Sequence, residues 1–254
     1  MGAAILPGVV RSEFTKFRSV RSTYATVAAA FVAAAALWPL QCALYASRFP
    51  NIEAEERASF SAAHLSLNGI LLAQLAVGVL GVLLISSEYT TGMIRATLAA
   101  VPRRMPVLWA KLGIHAAVTL VLMTIAAFAS FWAGTAILTE HWDFRLSDPG
   151  RLRAVALTGP TLASVCLMGT ALGFVLRNTA AAIATLFGIL MVLPIVGEFS
   201  PQAAQYLPSG AITSLTTPMP VEHMLAPWPA FAVLSAYVAA AIAGAAVTLR
   251  RRDA

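Results

Sequence analysis

The hydrophobic residues of this sequence fall into six long apolar runs separated by short polar segments. The runs cover residues 24–44, 65–85, 107–138, 154–176, 180–196 and 228–249. Their lengths are near or above the ~20 residues that an α-helix needs to cross a bilayer. A helix also satisfies its own backbone hydrogen bonds, as the lipid interior requires. The pattern predicts an all-α integral membrane protein with six transmembrane helices in a single transmembrane domain, residues 1–254.

The composition supports this class and excludes others. Hydrophobic residues make up 59% of the chain and charged residues 11%, whereas a soluble domain carries about 25% charged residues. The net charge of +6 does not indicate nucleic acid binding, because the cations cluster at the ends of the apolar runs. Cys42 and Cys166 lie inside runs and are interpreted as small buried residues, without a disulfide or metal role.

Lysine and arginine are distributed unevenly between the segments that connect the runs. The segment before the first run and every second segment after it hold twelve basic residues, with Lys111 at the start of the third run counted among them, and the other segments hold five. Cytoplasmic segments of membrane proteins carry the excess of basic residues. Both termini are therefore predicted to be cytoplasmic.

The segment before the first run, residues 1–22, has an amphipathic pattern. Val10, Phe14 and Phe17 recur at helical spacing, with basic residues between them. This pattern predicts a helix that lies in the inner headgroup layer. A simple charged anchor explains the same residues equally well, so both interpretations stay open.

A second short helix is predicted in the cytoplasmic segment 86–104. Thr90 or Thr91 is suited to cap its N-terminus, and Pro102 would end it. One face would carry three apolar residues, Ile94, Leu98 and Val101. Such a helix would lie against the inner membrane surface and connect the second span to the third. It would present polar side chains to the cytoplasm: Glu88, Tyr89 and Arg95.

This segment resembles a loop of the six-span permease subunits of bacterial type-2 ABC exporters. The resemblance rests on Ser87-Glu88-Tyr89-Thr90-Thr91-Gly92-Met93-Ile94-Arg95 and on Pro102-Arg103-Arg104. Met93 stands where the family more usually has threonine. In that family the loop is the coupling helix that docks on a separate ATPase chain. The resemblance implies that the following residues bind the ATPase: Glu88, Tyr89, Thr90, Thr91, Gly92, Arg95, Arg103 and Arg104.

The resemblance also implies partners and a location. Two copies of the permease, or one copy and a close homologue, would pair with two ATPase subunits in the bacterial cytoplasmic membrane, in contact with lipid. The N-terminal helix resembles the family's interface helix, and the proline-rich segment 199–227 resembles its re-entrant helices near the outer face. Glu198 is either part of an outer gate or a plain interfacial carboxylate.

No cofactor is expected on this chain, because ATP and magnesium would bind to the partner ATPase. A phosphate-binding Walker loop needs Gly-Lys followed by Ser or Thr. The two lysines of the sequence, Lys16 and Lys111, lie outside any glycine loop. The chain itself is predicted to have no enzymatic activity.

Two other classes of function compete with an exporter subunit for an amphipathic or lipid-like cargo. A membrane enzyme would need grouped catalytic or zinc-binding residues, but the four histidines are scattered along the sequence. A stand-alone secondary transporter usually carries charged residues in its span cores. Here the cores carry only uncharged polar groups, which bond between helices or contact substrate: Asn68, Gln74, Ser130 and Ser164.

The predicted orientation is testable with single cysteines in intact cells. Cysteines at Ser87 and Ala254 are expected to resist a membrane-impermeant thiol reagent, and a cysteine at Ala54 is expected to react, because the charge bias places only Ala54 outside. Permeabilised cells serve as the control, since all three positions should then react. Labelling at Ser87 in intact cells would contradict the orientation.

Overall fold

The computed structural model describes residues 5–48, 62–138, 145–197, 199–218 and 223–251, which contain eleven α-helices, one π-helical turn and no strand. The helices are α1 (Ile5–Ser19), α2 (Arg21–Arg48), α3 (Ala62–Thr90), α4 (Met93–Ala100), α5 (Arg104–Leu138), α6 (Arg151–Leu176), α7 (Thr179–Phe187), α8 (Leu193–Gly197), α9 (Pro201–Ala204), α10 (Pro208–Thr216) and α11 (Pro227–Arg251). The π-helical turn Gly188–Val192 joins α7 to α8.

Five of these helices are long and apolar enough to cross a membrane: α2, α3, α5, α6 and α11. The all-α membrane class is therefore confirmed. The predicted fifth span, 180–196, instead forms α7, the π-helical turn and α8. Its apolar part, Thr179–Ile195, is shorter than each of these five helices, so the structure supports five of the six predicted spans.

A proline explains why the fifth run does not form a regular α-helix. Pro194 is the second residue of α8, and it has no amide hydrogen to donate to the carbonyl group four residues earlier. The helix widens into its π-helical turn directly before this position. Such turns accommodate a missing or displaced backbone hydrogen bond without ending the helix.

The bundle is organised around α6, which packs against α3, α5, α7, α10 and α11. In the most apolar stretch of α6, 67% of the residues are buried, whereas in that of α2 only 17% are buried. The outer helices expose large apolar side chains, such as Val121 at 57% and Trp132 at 62%. Exposed apolar surface on this scale is unfavourable in water, and a bilayer would solvate it.

Glycines allow α3 and α6 to approach until their backbones touch. A Cβ atom at Gly81 would overlap the carbonyl oxygen of Cys166, and one at Gly169 would overlap the carbonyl oxygen of Gly78. Membrane helices pack through such small residues because lipid supplies no hydrophobic driving force between them. The close contact between α3 and α6 therefore requires glycine at these positions, because any side chain would separate the two helices.

The proline-rich segment after α8 folds back on the bundle. It forms the two short helices α9 and α10, and α10 packs against α6 and α11. Arg153 donates hydrogen bonds to the carbonyl oxygens of Thr217 (3.1 Å) and Pro218 (3.2 Å). Gly150 has a φ of +77° and its Cα lies against Pro218, so a side chain there would overlap the Pro218 carbonyl oxygen. These contacts fix the segment to the start of α6.

Gly81→Ala is expected to destabilise the protein by about 1–3 kcal/mol, because the added methyl group would push α3 away from the carbonyl oxygen of Cys166. Thermal unfolding of the purified protein in detergent measures the effect. Gly113→Ala is the matched control, since a Cβ atom there meets no atom within 4 Å. Equal melting temperatures for the two variants would contradict the close contact.

Candidate functional site

The short helix α4 begins at a left-handed glycine. Gly92 has φ 71° and ψ 4° and occupies the N-cap position, a conformation that glycine adopts without steric cost. Thr90 and Thr91 do not cap this helix, contrary to our prediction. Their hydroxyl groups donate to the carbonyl oxygens of Ser86 (2.9 Å) and Ser87 (2.8 Å), because α3 continues to Thr90. The helix α4 therefore begins one or two residues later than predicted.

The predicted apolar face of α4 is confirmed. Ile94 is 2% exposed and Leu98 is 8% exposed. Both belong to a hydrophobic cluster that includes Val9 of α1 and Leu249 of α11, and Val101 packs against it. The helix ends at Ala100, directly before Val101 and Pro102. The opposite face, including Arg95, is exposed.

Four charged side chains form a network between α1, α3 and α5, which we call the lysine network. Its members are Glu13, Lys16, Glu88 and Lys111. The Lys111 Nζ atom contacts Glu13 Oε2 at 2.5 Å and also bonds to Glu88 Oε1. Lys16 Nζ lies 2.7 Å from Glu13 Oε1. Lys111 thus pairs with both Glu13 and Glu88, and Glu13 also pairs with Lys16.

The lysine network also includes α4. Lys16 Nζ donates to the hydroxyl oxygen of Thr97 at 2.6 Å. Thr97 is 9% exposed and lies beside Leu98 on the buried side of α4. A polar contact therefore joins the short helix to α1, in addition to its apolar contacts.

Burial makes the charges of the lysine network interdependent. The side chains of Glu13 and Lys111 are each 3% exposed, and that of Glu88 is 12% exposed. A buried ion pair is stable only while both partners are present, and removing one partner costs about 3–5 kcal/mol because the other charge stays uncompensated. The two acids and two lysines balance each other, so the network is neutral as a whole.

Other contacts tie the remaining helix ends to the same end of the bundle. The Tyr89 ring packs edge-on against Phe174, with ring centroids 6.4 Å apart, and the Arg177 guanidinium lies 5.4 Å from the Tyr89 ring centroid. Arg104 donates to the carbonyl oxygen of Leu249 at 3.0 Å. These contacts bring together the ends of α3 and α6, and those of α5 and α11.

A family comparison agrees with this arrangement. The model of a family described as "ABC-2 family transporter protein" matches residues 9–197. The chain belongs to this family. It is therefore an ABC-2 permease and a multi-pass membrane protein. A comparison with curated proteins returned no match.

The structure of the permease separates the predicted ATPase-binding residues into two groups. Glu88 and Tyr89 point into the bundle, towards Lys111 and Arg177. Arg95 and Arg103 are exposed. The remaining members, Thr90, Thr91, Gly92 and Arg104, shape the turn or hold helix ends. Their binding to an ATPase stays a prediction.

The predicted interface residues lie on different sides of α1. Val10 is 38% exposed and Phe14 is 45% exposed. Phe17 packs on the bundle, with its ring centroid 6.4 Å from that of His115. The side of α1 that faces the lysine network instead carries Val9 and Glu13. The possible gate residue Glu198 lies outside the described residues, and its role stays a prediction.

Our sequence reasoning missed Glu13, Lys16, Thr97 and Lys111 as members of a site. One signal was present in the sequence. The chain has 17 basic residues, of which only Lys16 and Lys111 are lysines, and both belong to the network. The lysine ammonium group is a compact point charge with three donors on a flexible stem, so a single lysine can bond to two carboxylates that lie in different directions.

Lys111→Met is expected to destabilise the permease by about 3–5 kcal/mol, because it leaves the carboxylates of Glu13 and Glu88 without their shared cation. The double variant Glu13→Gln/Lys111→Met should lose less stability than the sum of the two single variants, since it keeps the network neutral. Thermal unfolding in detergent is measured for the unchanged permease, the two single variants and the double variant. Arg103→Met, an exposed cation at the same end, is the control and should change little. Additive losses would contradict the coupling of the two charges.

Proposed function

We propose that the permease is the membrane-spanning subunit of an ATP-driven exporter and that α4 is its docking helix for a separate ATPase chain. Two permease copies, or one copy and a close homologue, would work with two ATPase subunits that bind ATP and magnesium. The lysine network is the observation that supports this proposal. It joins α4 to α1 and to the ends of α3 and α5 through contacts between charged and polar side chains.

The two faces of α4 suit two different tasks. The exposed face carries Arg95, and Arg103 follows just after the helix. These cations are available for carboxylates of a partner or for anionic lipid headgroups. The buried face carries Ile94, Leu98 and Thr97, which contact the rest of the permease. A force that a partner applies to the exposed face of α4 would therefore be transmitted to the bundle.

The lysine network determines which helices move when a partner displaces α4. A movement of α4 that pulled Lys16 away from Glu13, or Lys111 away from Glu88, would leave buried charges uncompensated. Because that costs several kcal/mol, α1, α3, α4 and α5 favour moving as one unit. Glu88 would act in transmission through Lys111, whereas Arg95 would act in docking.

The helix ends support six crossings with both termini on the cytoplasmic side. The Tyr89–Arg177 contact places the start of α7 beside the lysine network, and Arg104 holds the end of α11 there. The segment Thr179–Gly197 has a length of about 28 Å at 1.5 Å per residue. This is close to the ~30 Å thickness of the hydrocarbon core, so the segment is long enough to be the fifth crossing.

The position of the buried charges favours an exporter subunit over a secondary transporter. Among the described residues, Glu13 and Lys111 are the charged residues classed as buried, and both lie at one end of the bundle. Ion-coupled transporters use ionisable groups near the middle of the membrane. A bacterial cytoplasmic membrane and an amphipathic or lipid-like cargo agree with the largely apolar spans.

The proposal predicts different defects for the two groups of residues when the permease is co-expressed with its ATPase. Arg95→Glu is expected to reduce co-purification of the ATPase several-fold, because it reverses an exposed docking charge. Glu88→Gln should leave co-purification intact but lower transport-stimulated ATP turnover several-fold, because it weakens the bond to Lys111. Both quantities are measured on reconstituted complexes.

Arg48→Glu is the matched control, since Arg48 is an exposed arginine at the end of α2, outside the docking segment. Melting temperatures are recorded for all variants, so that loss of folded protein is separated from loss of coupling. If Arg95→Glu and Glu88→Gln change neither quantity, α4 is a plain connector between two spans.

A further inference from the structure

The hairpin between α6 and α7 consists of two residues, Arg177 and Asn178. Arg177 has φ 52° and ψ 16°, and its amide group donates to the carbonyl oxygen of Gly173 at 3.0 Å. Asn178 is extended, and its side-chain oxygen accepts from the amide group of Ala181 at 2.9 Å. Asn178 therefore caps α7, and the left-handed position of the reversal falls on Arg177.

The left-handed conformation of Arg177 is unfavourable for the backbone. Glycine is the usual residue at such a helix end because it lacks a Cβ atom, and most other residues are disfavoured there. Among the described residues, Arg177 and His223 are the non-glycine residues with positive φ. A conformation of this kind persists only where its surroundings hold it, so the contacts of the Arg177 side chain are informative.

The Arg177 side chain packs on the ring of Tyr89. Its guanidinium carbon lies 5.4 Å from the ring centroid, within the ~6 Å range of a cation–π interaction. The same ring packs edge-on against Phe174, with ring centroids 6.4 Å apart. Phe174 is 1% exposed and belongs to the core. Two residues at the end of α6 therefore hold Tyr89 at the end of α3.

Tyr89 also closes the turn that leads into α4. Its carbonyl oxygen accepts from the amide group of Gly92 at 3.3 Å, and Gly92 is the N-cap of α4. Its ring partner Phe174 belongs to the same hydrophobic cluster as Ile94 and Leu98 of α4. The position of the Tyr89 ring is therefore tied to that of α4, through contacts that do not involve the lysine network.

A short stretch of chain joins Arg177 to the segment that we propose as the fifth crossing. Thr179, the first residue of α7, follows Arg177 by two positions. The helix α7 packs against α3 and α6 and continues into the π-helical turn Gly188–Val192. A displacement of the Tyr89 ring that carried Arg177 with it would therefore reach α7 directly.

We propose that Arg177 is a positioning residue that joins the docking helix α4 to α7 through the ring of Tyr89. A movement of α4 would then reach the fifth crossing by a route separate from the lysine network. This inference rests on the proposed function, because it takes α4 as the element that the ATPase moves. The alternative role for Arg177 is an anchor that only binds lipid headgroups. Such an anchor would not depend on Tyr89.

The link between Arg177 and Tyr89 is testable on the permease alone, by thermal unfolding in detergent. Arg177→Asn removes the guanidinium group but keeps a residue that tolerates the left-handed conformation. Tyr89→Leu removes the ring. Because both changes remove the same contact, the double variant is expected to lose less melting temperature than the sum of the two single losses. Detergent free of anionic lipid excludes headgroup binding as the cause.

Arg250→Met is the matched control, since Arg250 is an exposed cation at the end of α11. Its loss of melting temperature should add to that of Tyr89→Leu. If Tyr89→Leu does not give folded protein, Tyr89→Met takes its place, because methionine adapts to irregular gaps. Additive losses for Arg177→Asn and the Tyr89 variant would overturn the proposal.

The transmission role is tested on the complex with the ATPase, in a permease whose two native cysteines are replaced by alanine. An environment-sensitive dye is attached to a single cysteine at Ala99 on α4 or at Ala184 on α7, both of which are exposed. Addition of ATP should change the emission at both positions. Arg177→Asn is expected to keep the response at Ala99 and to lose at least half of the response at Ala184, whereas Arg250→Met should keep both.

The outcomes separate this inference from the proposed function. Arg177→Lys keeps a cation over the ring and should retain most of the Ala184 response. An Ala184 response that survives in Arg177→Asn would overturn the proposal. A missing response at Ala99 in the unchanged complex would instead contradict α4 as the docking helix. The transmission role would then fail as well, while the melting temperatures still report on the contact between Arg177 and Tyr89.

Discussion

Lys111 carries a positive charge into the interior of this permease, where Glu13 and Glu88 lie against it. Neither carboxylate is near Lys111 in the sequence, so the charge is balanced only when α1, α3 and α5 are assembled. Because an unbalanced buried charge is costly, this contact fixes the relative positions of the three helices. It also fixes α4, since Lys16 bonds to both Glu13 and Thr97. The end of the bundle that we propose for coupling depends on this one arrangement.

The close contact between α3 and α6 extends that constraint through the rest of the bundle. Glu88 is near the end of α3, and α3 lies against α6 at Gly78, Gly81 and Gly169. Two helices in backbone contact have little freedom to slide or separate. A displacement of Glu88 would therefore move the central helix, which packs against five other helices. The local electrostatics and the overall helix packing thus act on the same elements.

The two ends of the bundle differ in chemistry. One end holds buried ion pairs and exposed arginines beside α4, which suits a protein partner. The other end holds a largely apolar cavity whose lining includes Ser130 and Arg151. The spans between them expose apolar side chains, as lipid contact allows. The helices α5 and α6 extend from one end to the other, so a movement at the first end can reach the second through them.

The sequence by itself determined the membrane class, the five long spans and the family, because these depend on local quantities. The lengths of the apolar runs predict helices, the spacing of Ile94 and Leu98 predicts a buried face, and the run around Glu88 carries the family resemblance. The partner of Glu88, the left-handed turn at Gly92 and the cavity beside Ser130 were decided only by the tertiary structure. The periodicity of a helix shows which side is buried, but it does not show what that side meets. Glu13 and Lys111 are 98 residues apart in the sequence, so only the packing of α1 against α5 brings their charges together.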